Sequence, residues 1–349
     1  MSRELLREWS DVAGAVYGSE DQAQLFYALI KMQKPEVVVE LGTALAVTSF
    51  WMAQAVKDNG VGRVFTVDNG EAWKVAGLLF DRAGDKGPET RVQGEAAQVF
   101  RSFLGRLAQH PTFHEAFLRD VRKLATPGQL RGSDLRDYFE FLDRMAEILG
   151  LRSQISFLDG TILAEDAIPA TAERYPFLAP VLEQPIDLVF ADCGHNTLQV
   201  LGLFTQLLPR MSPDGSIFFD SAATYLPSYL ALQETIRQLN SGKIPAVLLA
   251  GASDRDRARI QDIAATRQFT LVPIVERKGR SQNSLVWIRM QPTNVIPYPI
   301  SSNRGMYDET GGTAVPPETL STYFRTGRWD GPRISLFNLV GPGSANKPK

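Results

Sequence analysis

The sequence predicts an α/β fold in which a doubly wound, mostly parallel sheet ends in an antiparallel hairpin. Three observations predict it. Short apolar runs with an acid at or next to their end, at 36–41, 63–68 and 186–192, read as strands buried on both faces. Segments with helical apolar spacing separate most of these runs. Near the end, TLVPIVE and SLVWIRM flank Arg277-Lys278-Gly279-Arg280-Ser281-Gln282-Asn283 and read as a β-hairpin.

Taken in order, residues 20–34 (EDQAQLFYALIKMQK) carry helical spacing and precede strand 36–41. Helix 45–58 and strand 63–68 follow. From Glu71 to about Leu151 the alternation breaks into helical patterns: VFRSFLGRLAQ, FHEAFLRDVRKLA and LRDYFEFLDRMAEILG. The second lies between Pro111 and Pro127, and the third follows an N-cap at Ser133 or Asp134. A crossover needs about a dozen residues, so the roughly 80 found here are an insertion. Residues 71–150 are therefore expected to form a helical cap over the strand C-termini, where ligands enter such sheets.

The alternation resumes with strand Gln154–Leu158, then Asp159-Gly160-Thr161 and a helix. Strand Ile186–Asp192, helix 197–210, a turn at Pro213-Asp214-Gly215 and strand Ser216–Asp220 follow. Helices 227–240 and 254–266 lead into the hairpin. Residues 1–70 and 151–290 are thus read as one sheet domain. From 291 to 349, proline, glycine and aromatics dominate without periodicity, so a C-terminal extension is expected to wrap the domain or join a partner subunit. Its last residues are expected to be disordered. The chain shows no internal repeat.

With 44% hydrophobic and 22% charged residues in 349, the composition is that of an ordinary globular chain. A net charge of −2 leaves no electrostatic footprint for nucleic acid or an anionic membrane. The single cysteine, Cys193, excludes an internal disulfide and suits a reducing compartment. The N-terminus MSRELLREWSDVAG lacks an apolar signal core and no apolar run reaches spanning length, so the expected location is the cytoplasm.

The frame Val37-Val38-Val39-Glu40-Leu41-Gly42-Thr43-Ala44, followed by Val64-Phe65-Thr66-Val67-Asp68, suits a nucleoside-bearing cofactor. Small turn residues let the backbone approach the ligand, and Asp68 can accept both ribose hydroxyls. A dinucleotide site usually shows G-x-G-x-x-G facing a pyrophosphate. Here one glycine opens the turn and an acid, Glu40, precedes it, which suits a cation. S-adenosylmethionine carries an ammonium, a sulfonium and no phosphate. The run resembles the first motif of class I S-adenosylmethionine-dependent methyltransferases, E/D-x-G-x-x-x-G, with Ala44 and Ala46 where glycines are common. The resemblance implies a Rossmann-like sheet and a cofactor held by Glu40, Gly42, Thr43, Ala44, Asp68, Asn69, Asp159, Gly160, Thr161 and Asp192. Asn69 also reads as a turn residue, and Asp159 or Thr161 as a helix N-cap.

A second constellation is Asp192-Cys193-Gly194-His195-Asn196 with Asp220-Ser221. Both acids end apolar strands and should enter one crevice, where two acids and a histidine suit Mg²⁺ or another oxygen-preferring cation. I-D-L-V-F-A-D-x-G-H followed by P-x-G-x-I-x-F-x-D resembles metal-dependent O-methyltransferases of natural-product sugars and catechols, and cephalosporin-hydroxylase-like proteins. That resemblance implies metal ligands at Asp192, Asp220 and Ser221, the serine standing where a second Asx is common. His195 can take the acceptor's proton and, with Asp192, forms the catalytic pair; capping of the next helix is its alternative role. His110 and His114 are expected to face solvent, and Cys193 to be a small buried residue. The tail's Tyr298, Tyr307, Tyr323, Phe324 and Trp329, and Trp51 and Trp73 nearer the cofactor, either frame an acceptor or serve in packing.

The expected function is O-methylation of a small molecule, a secondary metabolite or sugar-bearing substrate. N-methylation of a small amine is the nearest alternative. An NAD(P)-dependent oxidoreductase and a noncatalytic scaffold subunit are the alternatives from other classes. Expected partners are the methyl acceptor and, through the insertion or tail, a second copy of the chain.

Overall fold

The computed structural model describes residues 2–14, 19–70, 103, 106–107, 109–113, 135–276 and 284–293. Helices α1 (Ser2–Ala13) and α2 (Glu20–Gln33) precede strand β1 (Val37–Leu41), helix α3 (Val47–Asn59) and strand β2 (Arg63–Asp68). Next come α4 (Leu135–Ile148), β3 (Ile155–Asp159), β4 (Ile186–Ala191), α5 (Thr197–Leu207) and β5 (Met211–Asp220). Helices α6 (Leu226–Asn240) and α7 (Asp254–Thr266) lead to β6 (Arg267–Val275) and β7 (Ser284–Pro292).

The seven strands run in the order β3-β2-β1-β4-β5-β7-β6. β1 pairs in parallel with β2 and β4, β2 with β3, and β4 with β5; β7 alone is inserted antiparallel, against β5 and β6. The order reverses between β1 and β4, and ligands enter such sheets at that switch point, beyond the strand C-termini. The buried runs Val37–Leu41 and Leu188–Ala191 explain the parallel centre, since apolar residues on both faces can be satisfied only by helices above and below.

Two cores follow. One face packs α1, α2, α3 and α4 around Phe26, Phe50, Phe190 and Phe218. The other packs α5, α6 and α7 around Phe204, Phe219, Leu232 and Ile260. Helix α1 adds an element to those read from the sequence. Its Leu6, Trp9 and Val12 lie on one helical face and are buried, with Trp9 edge-on to Phe103 and Phe113. The described residues of the inserted segment thus contribute to the core beside α3. Tyr138 of α4 also donates to the Ala44 carbonyl at 2.8 Å, tying that segment to the turn after β1.

The structure corrects two local expectations. The helix expected after Thr161 comes late and is short, Ala179–Leu182; residues 161–175 form turns held from a distance, where Gln206 Nε2 donates to the Leu163 carbonyl and Arg210 Nε to that of Ala170. Pro213-Asp214-Gly215 lies within β5, where Met211 faces Ile186 and Ser216 faces Leu188, so the expected turn is a bulge. The helical pattern over 114–125, the N-cap at Ser133 or Asp134, His114, Trp73 and the tail aromatics lie outside the described residues. Among those described, no helix is long and apolar enough to cross a membrane.

Candidate functional site

The C-termini of β1, β2 and β3 open on a cavity of about 160 Å³. Gly42, Asp68, Asn69, Gly160, Thr161 and Cys193 line it, with Leu41, Val67 and Ile162 as apolar wall. The backbone after β1 turns sharply: Gly42 has φ 102°, and Ala44 and Ala46 have φ 46° and 57°. Both alanines therefore hold the left-handed conformation for which glycine is the default, at a cost of about 1–2 kcal/mol each. A Cβ on Gly42 would stand 2.8 Å from the Asp192 carbonyl oxygen, so close packing of two strand ends requires glycine there.

Asp68 faces the turn. Its Oδ2 accepts from Thr43 N at 2.9 Å and Ala44 N at 3.0 Å, and its Oδ1 from Gly70 N at 2.7 Å. A carboxylate offers about four lone-pair sites, so three protein amides leave about one for a ligand hydroxyl. Binding both hydroxyls of a ribose requires one amide to let go. Asn69 donates to Thr161 Oγ1 at 3.2 Å across the cavity floor, and Asp159 is exposed and outside the lining. The residues present fit a nucleoside in kind: aliphatic side chains along one wall, one carboxylate for a diol, and a turn without bulky side chains.

Glu40 stands apart from this wall. It is 1% exposed and accepts from Ser49 Oγ and, at 2.5 Å, from Thr66 Oγ1. Thr66 in turn meets Thr43 Oγ1 at 2.6 Å, so a hydroxyl chain joins the turn to the buried carboxyl. Burial pushes the Glu40 pKa up to about 8, against the lowering effect of the Ser49 and Thr66 hydroxyls and with a smaller rise from Asp68. Its position lies beneath the turn, where it braces the backbone that would hold a ligand.

Beside the cavity, Asp192, His195 and Asp220 place one ligand atom each within 4.8 Å of one another. Asp192 follows β4 and is fixed by its amide, which donates to the Leu41 carbonyl at 2.8 Å. His195 precedes the Asn196 cap of α5; Asn196 Oδ1 accepts from Gln199 N at 3.0 Å and Gln199 Oε1 from His195 N at 3.2 Å. The capping role thus belongs to Asn196 and leaves the imidazole turned toward β5. His195 Nδ1 lies 3.3 Å from the Asp220 carbonyl oxygen and 3.9 Å from Asp220 Oδ2. At 3.9 Å, His195 Nδ1 and Asp220 Oδ2 are wider apart than two cis ligands of an octahedral magnesium, which stand about 2.9 Å apart, so the set has to close to hold that ion. Two carboxylates and an imidazole fit a divalent cation in kind.

Asp220 is 2% exposed and bonded on both oxygens: Gln22 Nε2 donates to Oδ1 at 3.3 Å and Ser221 Oγ to Oδ2 at 2.6 Å. The Ser221 hydroxyl is thus turned onto Asp220, and its φ of 59° marks a strained turn. Sequence reading missed Gln22, although a signal existed: a glutamine shares the buried face of α2 with Ala23, Phe26, Leu29 and Ile30. Cys193 is exposed on the cavity rather than buried, yet desolvation by its neighbours, then Asp192 and Asp68, push its thiol to about 12. Trp51 is core, donating to Ser10 Oγ at 2.9 Å, and His110 stacks on Phe113 instead of facing solvent.

A family profile for a methyltransferase domain matches residues 39–222, more than half of the chain. No curated protein sequence matches it significantly. Among solved structures, the O-methyltransferase from Bacillus cereus in complex with SAH is similar at 15% identity and a TM-score of 0.40, over 82% of this chain and 90% of that one. The O-methyltransferase TomG from Streptomyces achromogenes, involved in tomaymycin synthesis and solved with SAM, is 15% identical with a TM-score of 0.38, over 81% and 89%. A methyltransferase from Geobacter sulfurreducens is 14% identical with a TM-score of 0.39, over 82% and 87%.

Proposed function

The chain belongs to the methyltransferase-domain family, and from that premise we propose that it transfers a methyl group from S-adenosylmethionine to a hydroxyl oxygen of a small molecule. One observation carries the choice of oxygen: a proton acceptor, His195, stands with Asp192 and Asp220 beside the cavity that ends β1 to β3. When bound, S-adenosylmethionine supplies a methyl group on a sulfonium that is already a good leaving group. The chain's own work is therefore alignment and removal of one proton.

Asp68 holds the ribose hydroxyls, Asn69 and Thr161 flank it, and the Gly42–Ala44 turn presents backbone at close range. Glu40 braces that turn through Thr66 and Thr43. Asp220 fixes the imidazole: with Nδ1–H donating to the Asp220 carbonyl, the neutral ring carries its lone pair on Nε2, which takes the acceptor's proton. The resulting imidazolium sits 3.9 Å from the Asp220 carboxylate and is stabilised by it. Asp192 closes the other side of the cluster.

A second reading is favoured by the ligand-like spacing of the same three residues. Asp192 and Asp220, with His195 Nδ1, would hold a divalent cation such as Mg²⁺, Ser221 keeping Asp220 in place. When bound, the cation would lower the pKa of the acceptor hydroxyl. Nδ1 cannot serve both the Asp220 carbonyl and a cation, so the readings separate. Under the first, EDTA leaves turnover intact and His195→Ala lowers it by about 10²- to 10⁴-fold. Under the second, EDTA abolishes turnover, Mg²⁺ restores it, and cofactor binding survives throughout. Turnover that survives both treatments overturns acceptor deprotonation and points to a neutral amine acceptor. In the domain organisation proposed here, residues 1–70 and 151–290 carry this chemistry.

A further inference from the structure

The opposite edge of the sheet carries a larger cavity, of about 480 Å³, at the starts of β1, β4 and β5 and near the end of β7. Five charged residues line it: Lys34, Glu36, Asp187, Asp214 and Arg289. Among the described residues no two of them form an ion pair, although two cations and three carboxylates share one space. Asp187 is fixed by the backbone, its Oδ2 accepting from Glu36 N at 2.8 Å and Val37 N at 3.0 Å. Lys34, Glu36 and Asp214 are exposed. Arg289 differs from all of these. It is half-buried on the face of β7 that carries Leu285 and Trp287, and its Nε is buried without a hydrogen-bond partner. Two neighbours also hold polar atoms without partners: Oγ of Ser216, fully buried and opposite Arg289 on β5, and Nε1 of Trp287. The inner end of the guanidinium is thus flanked by a hydroxyl and an indole N–H, and by no counter-charge.

We propose that this cavity binds a small linear zwitterion, with its carboxylate on Arg289 and its ammonium among the carboxylates of Glu36, Asp187 and Asp214. The unpaired arginine is the first argument. A half-buried guanidinium flanked by donors calls for a ligand that brings acceptors, and a carboxylate matches its planar fork. The acids are the second. With Lys34 counted, the lining carries a net charge of −1, which attracts an ammonium and repels a phosphate dianion. The order of the strands is the third. β5, β4 and β1 stand one, two and three positions from β7, at about 4.8 Å per step, so the acids at their starts spread over about 5–14 Å from the strand of Arg289. The ligand's two charges are therefore several bonds apart, as in an ω-amino acid, and not on one carbon as in glycine. The volume lies within the range of small-molecule sites, about 300–1,000 Å³. The parallel strands begin here, on the edge away from Gly42, Asp68 and His195, so this site is separate from methyl transfer.

The test uses the full chain, isotope-labelled in nitrogen, and follows the Arg289 Nε–H and Trp287 Nε1–H signals. The protein is titrated with 6-aminohexanoate, hexanoate, hexylamine and inorganic phosphate. 6-Aminohexanoate is expected to shift both signals saturably, and hexanoate and hexylamine to bind at least about tenfold more weakly, since each lacks one charged contact. Arg289→Met should weaken 6-aminohexanoate at least about tenfold. Should that variant fold poorly, Glu36→Gln combined with Asp214→Asn changes only exposed side chains and should bring 6-aminohexanoate down to the affinity of hexanoate. Both variants should keep S-adenosylhomocysteine affinity within about twofold, and a larger change would overturn the separation of the two sites. Unmoved signals, equal affinity for hexanoate and 6-aminohexanoate, or tighter binding of phosphate overturn the proposal.

Discussion

Replacing Glu40 with glutamine should remove a pH dependence of stability that the native protein carries between pH 4.5 and 8. The carboxyl is 1% exposed, and burial lifts its pKa from 4.5 to about 8. Within that window the folded chain keeps a proton that the unfolded chain releases, so the unfolded state binds fewer protons and stability falls as pH rises. Below 4.5 both states hold the proton, and above 8 neither does, so the curve is flat outside the window. The span between the two values sets a ceiling on the order of 5 kcal/mol. The donors Ser49 and Thr66 are already included in that value; relaxation around the buried charge reduces the loss, so about 2–4 kcal/mol is expected. Glutamine is neutral throughout. Urea denaturation at pH 5, 6, 7, 8 and 9 measures the difference between variant and wild type, in which other titrating groups cancel. That difference should move in favour of Glu40→Gln by about 2–4 kcal/mol from pH 5 to pH 9, or on the order of 1 M in midpoint. Parallel curves would refute a buried, protonated Glu40. Because Glu40 lies beneath the turn, the same variant should bind S-adenosylmethionine within a few-fold of wild type at pH 6.

Ser221→Asn is compatible with φ 59°, since asparagine tolerates the left-handed region, and it offers an amide oxygen beside Asp220. If a cation is used, the Mg²⁺ concentration for half-maximal turnover should fall; an unchanged midpoint in an active variant argues for His195 alone. Cys193 is exposed yet holds its proton, with a pKa near 12, so mass spectrometry should find iodoacetamide labelling at pH 8 slower by orders of magnitude than for a free thiol. Labelling at the rate of a free thiol would show that the site is solvated.

The sheet was legible because its strands are short, apolar and punctuated by acids, features that parallel pairing demands and that need no partner to be seen. Val37–Leu41, Arg63–Asp68 and Ile186–Ala191 fall within a residue of where the apolar runs place them. The stretch 161–175 was not legible, because its backbone is satisfied by Gln206 and Arg210, which lie over 30 residues further along. The bulge in β5 was hidden for a similar reason: Pro213-Asp214-Gly215 has turn chemistry, and only pairing with β4 keeps it extended. In the site, residue types at strand ends located Asp68, Asp192, His195 and Asp220. Which way Glu40 and Ser221 point depended on Ser49, Thr66 and Asp220, contacts that no local pattern records. Gln22 was visible only as a polar residue on a buried face, a mark without a direction until α2 was placed against β5.

The central claim is that the turn after β1 and the acid after β2 bind S-adenosylmethionine, and calorimetry on wild type and Asp68→Ala tests it most directly. Wild type should bind S-adenosylmethionine, and the variant should remain folded by circular dichroism while losing a charged hydrogen bond to the ribose, about 1.5–3 kcal/mol or roughly 10- to 150-fold in affinity. Equal affinity in the two proteins, or no binding by wild type, would contradict the account.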